Sequence, residues 1–479
     1  MNSSLPQQRT RRALIVAYVF PPSGGAGVQR VAKFVKYLPE FGWDCSVLTV
    51  SNPSVPLRDD TLLSEIPEST VVRKAKTLEP GYSFKNSISA AAEGSTRPRG
   101  IKHSIKSAIR AVGNAVLQPD AQVLWYPQAV REGKRLLREL HHDVIFVTAP
   151  PFSSFLVGAE LSRATGLPLV LDYRDEWGIS NRYQENRQKS AISQRIQQRQ
   201  QRHVLHQAKA IVTTTRRSAT ALRKVVKASK STASVYHIYN GFDGIDIPTV
   251  EHSVSPTGCN DSRRYRLVYV GTLWNLTSIE PIVEAIQQIC RQAPEVAARI
   301  ELVLVGRRTG DQDAVINRLD NLPCRVVRQN YVEHSRAIEI MQSADSLCLL
   351  LSNVPEAERV MPAKTFEYLA LQKPILAVAP RGEVTDLLAE CPYAAIFSPS
   401  DIESIAEHIA LAASHPDFGQ TRTTWNVNQY ERRELTSQLG NLFNEVCGWR
   451  TETAATPKAK SEYYEPVSAC APDWGGLDP

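Results

Sequence analysis

Short apolar runs of strand length alternate with stretches of helical spacing along this 479-residue chain, and the alternation starts twice. "ALIVAYVF" (13–20) leads into the glycine-rich turn "PPSGGAG" (21–27). "VQRVAKFVKYLPEFGW" then carries apolar residues at 28, 31, 34, 35 and 38, the spacing of one helix face. With "DCSVLTV" (44–50) this makes a strand-loop-helix-strand unit, the opening of a parallel doubly wound sheet. Buried-type strands recur around 143–148, 168–172 and 210–215. A second series begins near 266 with "RLVYVGTL", "IELVLVG", "CRVVRQNYV", "DSLCLLL", "PILAVAP" and "AAIFSP", separated by amphipathic stretches such as "IEPIVEAIQQIC". The fold class is therefore α/β, with two Rossmann-like doubly wound parallel-sheet domains joined through a polar, turn-rich junction at 240–262.

Length agrees with that division, because 479 residues exceed one ordinary core. The expected organisation is a flexible 1–12, a first domain at 13–245, a second at 246–425, a helix at 426–450, and a disordered Pro/Ala/Thr-rich tail at 451–479. No apolar run reaches the length of a membrane span, and "MNSSLPQQRTRR" lacks the apolar region of a secretory signal. Eight cysteines without a C-x-x-C pair suit neither a disulfide framework nor a zinc site and point to a cytoplasmic location.

Charge is uneven: residues 1–250 hold 35 Lys and Arg against 19 Asp and Glu, while 251–479 hold 21 against 30. A basic half of this kind meets an anionic surface, and without a nucleic-acid-binding motif the expectation is an acidic membrane leaflet rather than nucleic acid. "IKHSIKSAIRAVGNAVL" (101–117) aligns Ile101, Ile105, Ile109, Val112 and Val116 beside Lys102, Lys106 and Arg110. That stripe fits either an interfacial membrane helix or an ordinary helix packed on the sheet.

The segment "VMPAKTFEYLALQKPILA" (360–377) places Lys364 and Glu367 on one helix face behind Pro362, which suits the first helical position. Two readings stand side by side. The pair is an intrahelical ion pair on a wet surface, or Pro362, Ala363 and Lys364 present free N–H groups and an ammonium to a diphosphate while Glu367 accepts from sugar hydroxyls one turn deeper.

"PPSGGAGVQR", "IYNGFD" and "MPAKTFEYLALQKPILA", set in two Rossmann-like domains, resemble family 4 glycosyltransferases of the GT-B fold over about 13–445, of the type that builds bacterial surface polysaccharides. The resemblance implies a retaining transfer from a nucleotide sugar to a lipid-linked or glycan acceptor, with no metal or other cofactor. It also implies a carboxylate at Glu367 on the ribose, Lys364 toward the diphosphate, and a terminal helix near 425–445 that crosses back to the first domain. This chain departs from the family pattern in two places. Arg359, flanked by Glu356 and Glu358, stands where many members carry a glutamate that contacts the donor sugar. After the first strand of the second domain come Gly271 and Thr272 without the family's Arg and Lys, so Arg307 and Arg308 are candidate substitutes.

Gly24, Gly25 and Gly27 either let the backbone approach donor phosphates or the acceptor across the cleft, or form only a tight turn. "DYRDEW" ends a strand at the sheet edge where ligands gather, making Asp172, Arg174 and Asp175 candidates for acceptor orientation, proton transfer and phosphate binding. The competing reading is a structural Arg–Asp pair, and two carboxylates do not make a magnesium site. His141, His142, His203 and His206 read as surface histidines, and His334 as a cap or turn residue near a base pocket. A nucleotide-sugar epimerase on the same fold and a non-catalytic sugar-nucleotide-binding module remain alternatives to transfer.

Overall fold

The computed structural model describes residues 11–53, 58–79, 117–178, 191–247, 264–415, 418 and 425–449. The 101–116 stripe and the 451–479 tail lie outside these residues. The first sheet contains β1 (Arg11–Val16), β2 (Trp43–Val50), β3 (Val71–Ala75), β4 (Val144–Ala149), β5 (Leu169–Tyr173), β6 (Ala208–Thr213) and β7 (Ser234–His237). The second contains β8 (Tyr265–Val270), β9 (Ile300–Val305), β10 (Arg325–Gln329), β11 (Ser346–Leu350), β12 (Ile375–Val378) and β13 (Ala394–Phe397). Their orders are β3-β2-β1-β4-β5-β6-β7 and β10-β9-β8-β11-β12-β13. Neighbours pair in parallel throughout both sheets.

Helices on both faces explain why the inner strands read as unbroken apolar runs. Every residue of β4, β9 and β11 is buried. The helices used below are α1 (Ala26–Tyr37), α2 (Arg216–Ala228), α3 (His334–Gln342), α4 (Lys364–Leu371), α5 (Glu383–Leu388) and α6 (Arg432–Val446). In each sheet the strand order reverses beside the first strand, between β1 and β4 and between β8 and β11, where a doubly wound sheet opens a crevice at its carboxyl edge.

The terminal helix α6 returns to the first domain, as the resemblance implies. Phe443 packs edge-on to Trp43 at 5.2 Å between ring centroids, and Asn444 accepts from Arg11 and from the Trp43 indole. The turn "NGFD" makes this return possible. Gly241 has φ +68°, and a Cβ there would lie 2.4 Å from both the Tyr430 carbonyl oxygen and Leu435. Phe242 can then exchange backbone hydrogen bonds with Tyr430 and Arg432. Tyr239, Phe366 and Tyr430, drawn from the first domain, α4 and the chain before α6, meet pairwise at 5.5–5.7 Å.

A second tie crosses the domains. Glu383, at the start of α5, is 4% exposed and accepts 2.9 Å hydrogen bonds from the backbone N–H groups of Arg216 and Arg217. Those groups open α2, where the helix dipole favours an anion. The Tyr239 hydroxyl donates to the same carboxylate at 2.8 Å. Hydrogen bonds to charged groups contribute about 1.5–3 kcal/mol each. Glu383→Ala, which removes three such bonds, should therefore lower stability by about 4 kcal/mol or more and Glu383→Gln by less, read as thermal midpoints; unchanged midpoints in both would remove this tie as a stabilising contact.

Candidate functional site

Helix α4 starts at Lys364, two residues later than the motif suggests; Pro362 precedes the regular turn and its carbonyl accepts from Thr365 N–H at 3.0 Å. Phe366, Tyr368, Leu369 and Leu371 anchor the helix in the core, leaving Lys364 and Glu367 half-buried. Among the described residues no salt bridge joins the two. The Lys364 ammonium instead stands 3.7 Å from the centroid of the Tyr269 ring, a cation–π contact. Burial pushes its pKa down to about 7, with Cys348 and Glu367 acting weakly in the opposite direction.

Two glycine turns make room for that ammonium. Gly271, just past β8, has φ +136°, and a Cβ there would lie 2.6 Å from Lys364 Nζ. Gly306, just past β9, has φ +123°, and its Cβ would fall 2.3 Å from the Gly271 carbonyl oxygen. The loop is pinned by the Tyr269 and Thr277 hydroxyls, which both donate to the Thr272 carbonyl at 2.9 and 2.7 Å. The Thr272 side chain and Arg307 are exposed beside it. Arg308 is occupied, by Asp313 at 2.8 Å and by the carbonyls of Gly306 and Gln329.

Across the cleft, "DYRDEW" divides into different roles. Asp172 has no exposure and is held by the Arg30 guanidinium at 2.9 Å and the Thr148 hydroxyl at 2.8 Å. Geometry thus gives Asp172 the structural reading, with Arg30 rather than Arg174 as its partner. Arg174 donates to the carbonyls of Gly27 and Pro150, fastening the glycine turn to the β4 loop. A Cβ on Gly27 would lie 2.4 Å from Nη1 of that guanidinium, so a larger residue here would displace Arg174 from the turn. Asp175 is exposed. Gly24 and Gly25 lie half-buried on the same turn, Gly25 with φ +102°. Arg359 pairs with Glu356 at 2.9 Å and reaches Glu176 of the first domain at 3.3 Å, while its carbonyl accepts from Thr215 at 3.0 Å.

Motif reading passes over a charged cluster behind Glu367. Lys33, fully buried on α1, pairs with Glu65, with Asp243 at 2.6 Å and with Asp246 at 3.1 Å. His334 Nε2 lies 3.6 Å from Asp246 and 4.0 Å from Glu367, so His334 faces the acid group and is more than a cap or turn residue. Burial pushes the Asp246 pKa up, but His334 and Lys33 outweigh it and hold the carboxyl at about 2. Arg432, from α6, is buried in the same cluster. Away from this cleft, a cavity of about 890 Å³ lies at the amino ends of β4 to β6, lined by His142, Leu167, Lys209 and Trp449 among others; none of the predicted site residues borders it.

Two family models match the sequence. "Glycosyl transferase 4-like domain" covers residues 24–232 and "Glycosyl transferases group 1" covers 264–415, omitting only the ends and the 233–263 junction. The chain belongs to the family 4 glycosyltransferases of the GT-B fold. No curated protein matches it. Among solved structures, Anabaena HepE in complex with UDP and glucose superposes with a TM-score of 0.57 at 14% identity, covering 91% of this chain and 100% of that one. The lipopolysaccharide outer core galactosyltransferase WaaB gives 0.53 at 13% identity, covering 91% and 98%. The N-terminal domain of Candida albicans trehalose-6-phosphate phosphatase gives 0.57 at 11%, covering 93% and 98%. At these identities the likeness is one of fold, and it agrees with the two-sheet architecture.

The position of Lys364 has a cost in this glycosyltransferase. Its folded pKa lies below the ordinary 10.5, so between about pH 7 and 10.5 the unfolded chain binds more protons. Stability contributed by this residue therefore rises with pH across that window. Lys364→Met should melt above wild type at pH 6.5, and the gap should close toward pH 10 in paired thermal melts. A gap independent of pH would contradict the lowered pKa.

Proposed function

We propose that this glycosyltransferase moves a sugar, with retention, from a nucleoside diphosphate donor to a lipid-linked or membrane-proximal glycan acceptor in surface-polysaccharide synthesis. UDP-sugars are the first donors to test, since HepE structures hold UDP and UDP-glucose. The observation that carries the reading is the separation of Lys364 from Glu367. A cation beside a helix start and an acid group one turn along are both left without a protein salt bridge between them, and a ribose bonded to a diphosphate spans such a pair.

In this reading the N–H groups at the start of α4 and the Lys364 ammonium stabilise the diphosphate as the anomeric C–O bond breaks. Glu367 fixes the ribose, and the acceptor oxygen forms the new bond at the anomeric carbon. Asp175, exposed in "DYRDEW", takes the acceptor proton in this reading, while Asp172 is buried against Arg30. Gly24, Gly25 and Gly27 in the same reading let the backbone approach the donor phosphates or the acceptor, and Arg359 with Glu176 spans the gap between the domains. The proposed chemistry needs no metal, and the proposed location is cytoplasmic, with 101–117 as a peripheral contact to anionic membrane. Among the described residues no helix is long and apolar enough to cross a membrane.

A thermal-shift screen of nucleotide sugars identifies the donor, because a bound ligand raises the melting temperature by mass action. Glu367→Ala and Lys364→Ala should each weaken donor binding at least tenfold, about 1.4 kcal/mol, while remaining folded. Wild-type affinity in both would refute the assigned roles. Incubation with donor alone, followed by NMR, separates transfer from epimerisation; a donor that binds but is neither hydrolysed, epimerised nor transferred indicates a binding module.

A further inference from the structure

Among the described residues the Glu367 carboxylate accepts no hydrogen bond from the protein, yet a group that must meet ribose hydroxyls cannot be left to wander among rotamers. What faces it is His334, at the first position of α3. Its Nε2 lies 4.0 Å from Glu367 Oε1 and 3.6 Å from Asp246 Oδ2, and Asp246 is in turn paired with the buried Lys33 of the first domain. We propose that His334 is a positioning residue for the donor, orienting the Glu367 carboxylate toward the ribose and anchoring it through Asp246 to the domain junction.

The distances suit this role. At 3.6–4.0 Å the ring lies beyond hydrogen-bond distance of both carboxylates, so it limits the rotamers open to Glu367 while leaving the carboxylate lone pairs for a ligand. The groups facing the ring are Asp246 from the junction turn, Glu367 from α4 and Arg432 from α6, with Lys33 and Asp243 behind Asp246. Contact with Asp246 raises the His334 pKa above its ordinary value; burial and Arg432 oppose the rise, and Glu367 adds to it. Each side of the cluster comes from a different segment. A change in the junction that moves Asp246 therefore reaches the ribose carboxylate through one side chain.

The inference rests on Glu367 binding ribose, and the test separates the two. Calorimetry would compare whichever of UDP, GDP or ADP binds wild type best with its 2′,3′-dideoxy counterpart. Wild type should prefer the ribose form roughly tenfold, and Glu367→Ala should abolish the preference. His334→Ala should cut it to about threefold or less while changing dideoxy affinity by less than about twofold. His334→Gln, which keeps the side chain's bulk, should lose the preference partly, and Asp246→Asn should act in the same direction. His334→Ala added to Glu367→Ala should have no further effect. The proposal is overturned if both His334 variants keep the full ribose preference, or if they lose both nucleotide forms equally, as general damage would. A preference that survives Glu367→Ala, or is absent from wild type, overturns the reading of Glu367 itself and the role of His334 with it.

Discussion

A lysine ammonium shut away from water, Lys33, sits where the two domains meet, and much of the cleft is arranged around neutralising it. Burying an ion costs several kcal/mol unless opposite charge and hydrogen bonds compensate. Here the compensation comes from separate segments: Glu65 from the turn after β2, and Asp243 and Asp246 from the junction that follows β7. The Tyr37 hydroxyl and the Lys36 ammonium also meet Asp243, at 2.8 and 3.2 Å. Helix α1 begins at the glycine turn, so the charge on Lys33 fixes that turn relative to the junction. Removing one acid would leave the ammonium buried and under-compensated, which is more damaging than losing a surface pair.

Close backbone approach is the second device shaping the cleft. At Gly271 and Gly306 the loops after neighbouring strands lie one on the other, and the absence of both β-carbons lets Lys364 reach the ring of Tyr269. At Gly382 a Cβ would fall 2.5 Å from the backbone of Glu358, so that glycine brings the 357–359 turn against the start of α5. The same short stretch thus carries Glu383 to α2 and the Arg359 carbonyl to Thr215, pinning the second domain to the first.

These features were unequally visible in the sequence. The sheets were legible because parallel strands covered on both faces leave uninterrupted apolar runs. Helix α4 was legible because its spacing puts Lys364 and Glu367 on one face. Partners were not legible where topology, rather than local spacing, chooses them. Asp172 looks paired with Arg174 two residues on, but β5 places it against Arg30 of α1, 142 positions away. Arg308 reads as a free phosphate ligand, yet Asp313 takes its Nε–H and two carbonyls take its Nη1 donors. His334 reads locally only as a cap or turn residue and Glu383 carries no local signal, since their partners arrive only once the two domains are side by side.

Two lysines in one cleft, Lys33 buried and Lys364 half-buried, show how environment separates their roles. Lys33 is surrounded by three carboxylates, which use its charge entirely within the protein. Lys364 is given an aromatic face, a neutral thiol and an acid group held off at a helical turn, an environment that lowers its pKa instead of satisfying it. A half-buried cation without a carboxylate partner is destabilised, so in the proposed reading a diphosphate would gain an interaction that side chains have not already taken. Moving a carboxylate next to Lys364 would stabilise the empty protein and weaken that gain. For the proposed donor site, the position of Glu367, one helical turn from the lysine and without a salt bridge to it, is therefore the geometric condition on which the reading depends.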